Sequence, residues 1–193
     1  MRRPAGEAHV LTLAEMAAAD LAAARAAARD HARITQSGEE TVLDAQILAA
    51  LGLCEAFCGC QMLSRTAAQI LPARGDWQRL AARPVAAILN VEGIPAEGAG
   101  FALPVDAYAI DIDEDGTGLL RVIAPGAAGR VRVQYRAGLA PDWAALPAPI
   151  AQGIVRLAVH LFSSREMPGT PSAALPPAAV AALWRPWRRM GLA

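Results

Sequence analysis

The chain changes its hydrophobic period twice, and few folds accommodate both periods. From Leu13 to Cys58 apolar residues recur every three or four positions, the spacing of a helix face. From Arg65 to Arg136 they alternate with polar residues, the spacing of half-buried strands. From Ile150 the helical spacing returns. The order helices, sheet, helices predicts an α+β fold. The N-terminal helices and a C-terminal helix form a helical core, a small and mostly antiparallel sheet is inserted, and an extended C-terminal tail follows.

"TLAE" at 12–15 reads as a capping box, in which Thr12 caps the Glu15 amide and Glu15 reaches back. It predicts a first helix from Thr12 to about His31. A second box, Ser37 with Glu40, opens a helix whose stripe is Leu43, Ile47, Leu51, Cys54 and Cys58. Val42, Ala45, Ala49 and Leu53 widen that stripe, and Gly59 ends the helix. "TAAQIL", "PVAAILNV", "DAYAIDID", "GLLRVIA" and "RVRVQYRA" are strand segments separated by Gly, Pro and acids. Pro149 suits the first turn of a later helix, with Ile150, Ile154, Leu157, Ala158 and Leu161 buried and Gln152, Arg156 and His160 on the polar side. A last short helix runs from Ala178 to about Trp184. Residues 1–167 are expected to form one domain (helices 12–59, β region 65–137, helix 149–166). Residues 168–193 hold a Pro-rich connector, the short helix and the tail.

Charge excludes one class of function. All 18 positive residues are Arg, they balance 18 acids, and a neutral chain is no bulk electrostatic binder of nucleic acid. The distribution is uneven: residues 1–60 carry five Arg against eight acids, whereas residues 144–193 carry five against one. No apolar run follows Arg2 and Arg3, and no segment reaches the roughly 20 uncharged apolar residues of a membrane helix. The expectation is a chain made in the cytoplasm, without membrane partners, its three Cys reduced.

The stretch "DIDEDGTG" offers the sharpest candidate chemistry. Asp111, Asp113, Asp115 and Gly116 match the first half of a calcium-binding loop. The position that should carry a bidentate Glu is Val122, and the flanks read as strands. A hairpin turn is the expected reading, with Asp115-Gly116 supplying the tight turn. A small cytosolic calcium-binding α+β module using residues 111–116 is the alternative. Cys54 and Cys58 fall on an apolar stripe with no His within ten residues, so core packing is expected rather than zinc. His9, His31 and His160 lie near no nucleophile motif, and there is no phosphate-binding loop. No catalytic residues, metal site or cofactor are expected, although a hydrolase using His160 is a third reading.

The C-terminus differs. "LWRPWRRMGLA" places Trp184, Arg185, Trp187, Arg188, Arg189 and Met190 within seven residues. Trp, Arg and Met are enriched at interface cores. The competing reading is that the Trp residues fold back onto their own core.

Taken in order, these pieces resemble the head–tail connector, or adaptor, proteins of long-tailed phages and phage-derived gene transfer agents. "LTLAEM" opens the chain as in those proteins, and the helix ending "AFCGCQMLSRT" runs into a short turn and first strand. "VRVQYRAGL" followed by "LPAPIAQGIVRLAVHLFSSRE", and the closing "LPPAAVAALWRPWRRMGL", are similar in the same way. The resemblance implies a structural protein of a virion or phage-like particle at the head–tail interface. It implies a ring, twelve-fold like its portal, between the portal protein and a stopper or tail-joining protein. DNA would pass through the ring without sequence-specific binding. It further implies that Trp184, Arg185, Trp187, Arg188, Arg189 and Met190 contact the portal. The acidic loop (Asp111, Asp113, Glu114, Asp115) is a candidate for the face toward the next ring.

Overall fold

The structure is a computed structural model, and it describes residues 11–33, 38–164 and 177–188. The chain divides into two compact units, one from residues 1–15 and 64–138, the other from residues 16–63 and 139–193. The first is the β unit, whose larger part, residues 64–138, is inserted in sequence between the two halves of the second. The predicted α+β class is observed.

Among the described residues the β unit contains eight strands: β1 (Leu11–Leu13), β2 (Arg65–Pro72), β3 (Gln78–Arg79), β4 (Val85–Pro95), β5 (Phe101–Ala102), β6 (Tyr108–Ile112), β7 (Gly118–Val122) and β8 (Ala128–Ala137). They form a five-stranded sheet in the order β1-β2-β8-β4-β5 and a three-stranded sheet in the order β3-β7-β6, with every pairing antiparallel. The alternation in "RVRVQYRA" sets the central strand. Val131, Val133, Tyr135 and Ala137 are fully buried, while Arg130, Arg132 and Arg136 are exposed. Register then places Ala67 opposite Tyr135 and Leu71 opposite Val131, so the inward faces of β2 and β8 coincide. Strand β4 pairs with β8 through three register shifts, which is why its own burial alternates less cleanly.

One expected element is different. Thr12 does not open a helix, because residues 11–13 pair with β2, Thr12 opposite Ala68, and Ala14 N–H donates to Thr66 O at 2.8 Å. A β-branched Thr between two Leu fits an edge strand, and strand pairing satisfies backbone groups that a helix start leaves open. The helix α1 begins instead at Ala18 and ends at Ala32, after an Ala17 N-cap with no side-chain hydrogen bond. Asp20 in its first turn accepts a hydrogen bond from Trp143 N–H at 2.8 Å. Ser37 lies outside the described residues.

The second unit holds α1, α2 (Glu40–Cys58), α3 (Ala148–Ser164) and α4 (Ala178–Trp184). Leu43, Ile47, Leu51, Cys54 and Cys58 are buried as expected, and Gly59 closes α2 in the left-handed conformation at φ 70°. Val42, Ala45 and Ala49 do not join that stripe: all three are exposed, and Ala50 takes the buried place. The reason is angular. At 100° per residue they lie nearly opposite the Leu43–Ile47–Cys54 line. By length and composition alone α2 could cross a membrane, although its buried stripe serves the core of this unit. Across the α1–α2 pair, the Arg25 guanidinium makes two 2.6 Å hydrogen bonds to the Asp44 carboxylate, and Arg29 pairs with Glu40 at 3.0 Å. Helix α3 buries Ile150, Ile154, Leu157 and Ala158 and exposes Gln152, Arg156 and His160, as its sequence pattern predicts, whereas Leu161, expected in the buried stripe, is only partly buried.

Candidate functional site

The C-terminal segment is built on α3. Pro177 sets the start of α4, which buries Val180 and then Trp184. Trp184 is 0% exposed. Its indole N–H donates to Ile150 O at 3.4 Å, and its ring lies 6.0 Å from that of Phe57 at an angle of 54°. Gly153 makes the seat possible. A Cβ there would sit 2.1 Å from Trp184 Nε1, so only glycine admits the indole. Sequence reasoning missed Gly153, yet a glycine inside an aliphatic helix was a visible signal, since it weakens the helix unless something approaches closely.

Beyond Trp184 the chain turns through a single 3-10 turn, Arg185–Trp187. Arg185 and Arg188 are exposed, Trp187 is partly buried against the helical core, and the Arg188 guanidinium lies 5.5 Å over the Phe57 ring. The six candidate contact residues therefore separate. Trp184 is a core side chain, as the competing reading had it, and not an exposed anchor. Arg185, Trp187 and Arg188 lie together at the surface just past it. Arg189 and Met190 lie outside the described residues.

The acidic stretch is the hairpin between β6 and β7. Asp113 N–H donates to Thr117 O at 3.0 Å and Gly116 N–H to Asp113 O at 2.8 Å. The Asp115 carboxylate accepts from Thr117 N–H, and the Asp111 carboxylate from Ile112 N–H, each at 2.9 Å. Gly116 carries φ +77°, and a Cβ on it would meet Pro84 at 2.5 Å, so this turn requires glycine twice over. Val122 pairs with Tyr108 inside a strand and is buried. Strands flank the loop where a calcium loop needs helices. Among the described residues no group of three or more His, Cys, Asp or Glu is placed to hold a metal ion. Millimolar calcium is accordingly expected to leave the thermal midpoint unchanged, whereas a ligand of the folded state would raise it. A clear rise would reinstate the calcium module.

Cys54, Cys58 and Cys60 are buried, and hydrogen bonding to Cys58 together with burial pushes the Cys54 thiol far up, away from thiolate chemistry. His31 and His160 are exposed, and Ser164 Oγ donates to the His160 backbone carbonyl within its own helix turn. His9 lies outside the described residues. The β unit also carries an apolar groove of about 470 Å³, lined by Phe101, Leu103, Pro104, Ala107, Ala124 and Pro125, with Asp106 as its one acid.

Comparison with known proteins gives no match to a family profile and none to a curated protein. Solved structures do match. A chain in the neck of an empty gene transfer agent particle, computed with C6 symmetry, superposes with a TM-score of 0.73 at 25% identity, covering 95% of this chain and 97% of that one. This chain is of the head–tail connector kind. A chain in the virion of the native particle gives a TM-score of 0.71 at 25% identity, again over 95% of this connector and 97% of the other chain. The neck of the native particle, computed with C12 symmetry, gives 0.69 at 26% identity over 94% and 97%. The resemblance read from motif order thus extends through both units of the connector, and it makes the chain a structural component of the head–tail type.

Proposed function

We propose that this chain is a non-enzymatic adaptor that forms a ring between the portal and the stopper or tail-joining protein of a phage-like particle. The observation that carries the reading is the fold match over 95% of the chain to particle necks. Computation of those necks with C6 and C12 symmetry supports a ring. DNA would pass through the centre, and a chain of zero net charge suits a passage that does not grip phosphate. Each copy gains avidity from its neighbours, so weak single contacts suffice.

The tail past Trp184 is the proposed portal contact. Arg185, Trp187 and Arg188 combine exposed charge with an aromatic side chain, and Arg189 and Met190 continue the same composition in sequence. The acidic hairpin, with Asp111, Asp113, Glu114 and Asp115 exposed, is the proposed contact toward the next component. Charge complementarity of this kind governs encounter and register more than raw affinity. Charge reversal of Asp113 and Asp115 is expected to weaken tail joining, and intact joining would remove the hairpin from that role.

Removing residues 189–193 and changing Arg185 and Arg188 to Glu leaves the Trp184 seat in place. The variant is expected to melt near the parent and to lose portal binding by about tenfold or more, the scale of a hot-spot loss. Electron microscopy of the protein mixed with its portal reads both ring and contact. Undiminished decoration of the portal would exclude the tail.

A further inference from the structure

Helix α2 is mostly apolar, its interior acids Asp44 and Glu55 sharing one flank, and so apolar a helix is normally largely buried. Here only 33% of its apolar stretch is buried. The face opposite the core stripe carries Val42, Ala45, Leu48, Ala49, Gly52 and Ala56, every one exposed and none charged, with Val42 at 39% and Leu48 at 44%. Among the described residues nothing packs against Gly52. A Cβ built on it meets nothing within 4 Å, and its backbone is ordinary helix, so alanine would fit and would favour the helix. A residue that weakens its own helix and touches nothing is explained by close approach from outside. Helix α1 presents a second ridge of small residues, Ala19, Ala22, Ala23 and Ala26, on the side away from its buried Ala24 and Ala28, and the ridge ends at the exposed Asp30.

We infer that these two faces are the ring contact: the α2 face of one copy receives the α1 ridge of the next, with the closest approach at Gly52. This rests on the adaptor reading and specifies its self-association surface. Cyclic rings beyond a dimer need heterologous contacts, in which one patch meets a different patch on the neighbour. The connector supplies two such patches on one unit, and the matched necks were computed with six- and twelve-fold symmetry. Small residues on both faces let two helices approach closely, and Val42 and Leu48 supply the knobs at the end of the groove.

The test is Gly52→Arg. Open space around Gly52 lets the arginine side chain reach solvent in the isolated chain, so the variant is expected to fold and melt at or above the parent temperature. It is expected to form no ring when mixed with portal, while the parent forms one. A ring in the folded variant would overturn the inference and leave the adaptor reading standing. A parent that forms no ring overturns the adaptor reading, and the inference with it. A second measurement does not depend on Gly52. Oxidation of the double variant Ala22→Cys/Ala49→Cys is expected to give a ladder of covalent multimers, and neither single variant is expected to cross-link. Dimers from Ala49→Cys alone would mean that like faces meet, and would overturn the contact. Flotation of the parent, but not of Gly52→Arg, with lipid vesicles would assign the α2 face to a membrane and overturn it as well.

Discussion

Trp184→Ala is expected to destabilise the helical unit by about 3–5 kcal/mol, the range for removing a large buried aromatic side chain. The indole is fully buried between α3 and Phe57, and it carries its own hydrogen bond to Ile150 O. Its loss leaves a cavity over Gly153 that an aliphatic helix cannot fill without moving. Gly153→Ala makes the same point from the other side. With Trp184 present, the new methyl would meet Nε1 at 2.1 Å and expel the indole. With Trp184 already replaced by alanine, the clash is gone and the methyl stabilises the helix by up to about 1 kcal/mol. A double-mutant cycle by chemical denaturation should therefore show strong coupling of these two positions. A cost below about 1 kcal/mol for Trp184→Ala would mean that the terminal helix is not docked in solution, since exposed substitutions cost no more than that. Trp184 would then be free to serve as a partner anchor.

The two tryptophans of one short motif thus differ in burial, and the sequence alone could not separate them. Periodicity foretold α2, α3 and α4, the five strands β2, β4, β6, β7 and β8, and the buried faces of β8 and most of α3, because each depends on local spacing that a single face of one element expresses; the short β1, β3 and β5 it did not. It failed at Thr12, where a cap signature and a short edge strand share the same residues and only the partner β2 decides between them. It failed again at Val42, Ala45 and Ala49, because in an apolar helix every face looks like a core face and only the neighbours choose one. The hairpin reading of "DIDEDGTG" needed no neighbour: the missing ligand at Val122 and the alternating flanks were enough. Trp184 against Trp187 is a packing decision made by Gly153, some 30 residues upstream in α3. What distinguishes the connector from other α+β chains lies in the order of its motifs rather than in any one of them, and that order was legible.

Tyr135→Phe is expected to cost the β unit about 1–3 kcal/mol, although it removes a single oxygen. Tyr135 stands in the central strand β8 and is 0% exposed. Its hydroxyl accepts the Ala82 N–H at 3.0 Å and donates to Gln69 Oε1 at 3.1 Å. Gln69 is itself 1% exposed, and its Oε1 also takes the Ala81 N–H at 2.8 Å. Phenylalanine keeps the ring and its packing but leaves a buried backbone donor at Ala82 without an acceptor. That unsatisfied group, not the lost bond, sets the cost. Burial also pushes the Tyr135 hydroxyl above its ordinary range, so the folded state holds this proton more tightly than the unfolded chain does. Stability must then fall as pH rises past about 10, where the unfolded tyrosine ionises and the folded one does not. Tyr135→Phe should flatten that alkaline decline as well as lower the plateau. Thermal melts of both proteins between neutral pH and about pH 11 measure the two effects together. An unchanged midpoint at neutral pH would show that Ala82 N–H finds another acceptor, and the Tyr135–Gln69 pair would then be dispensable to the sheet.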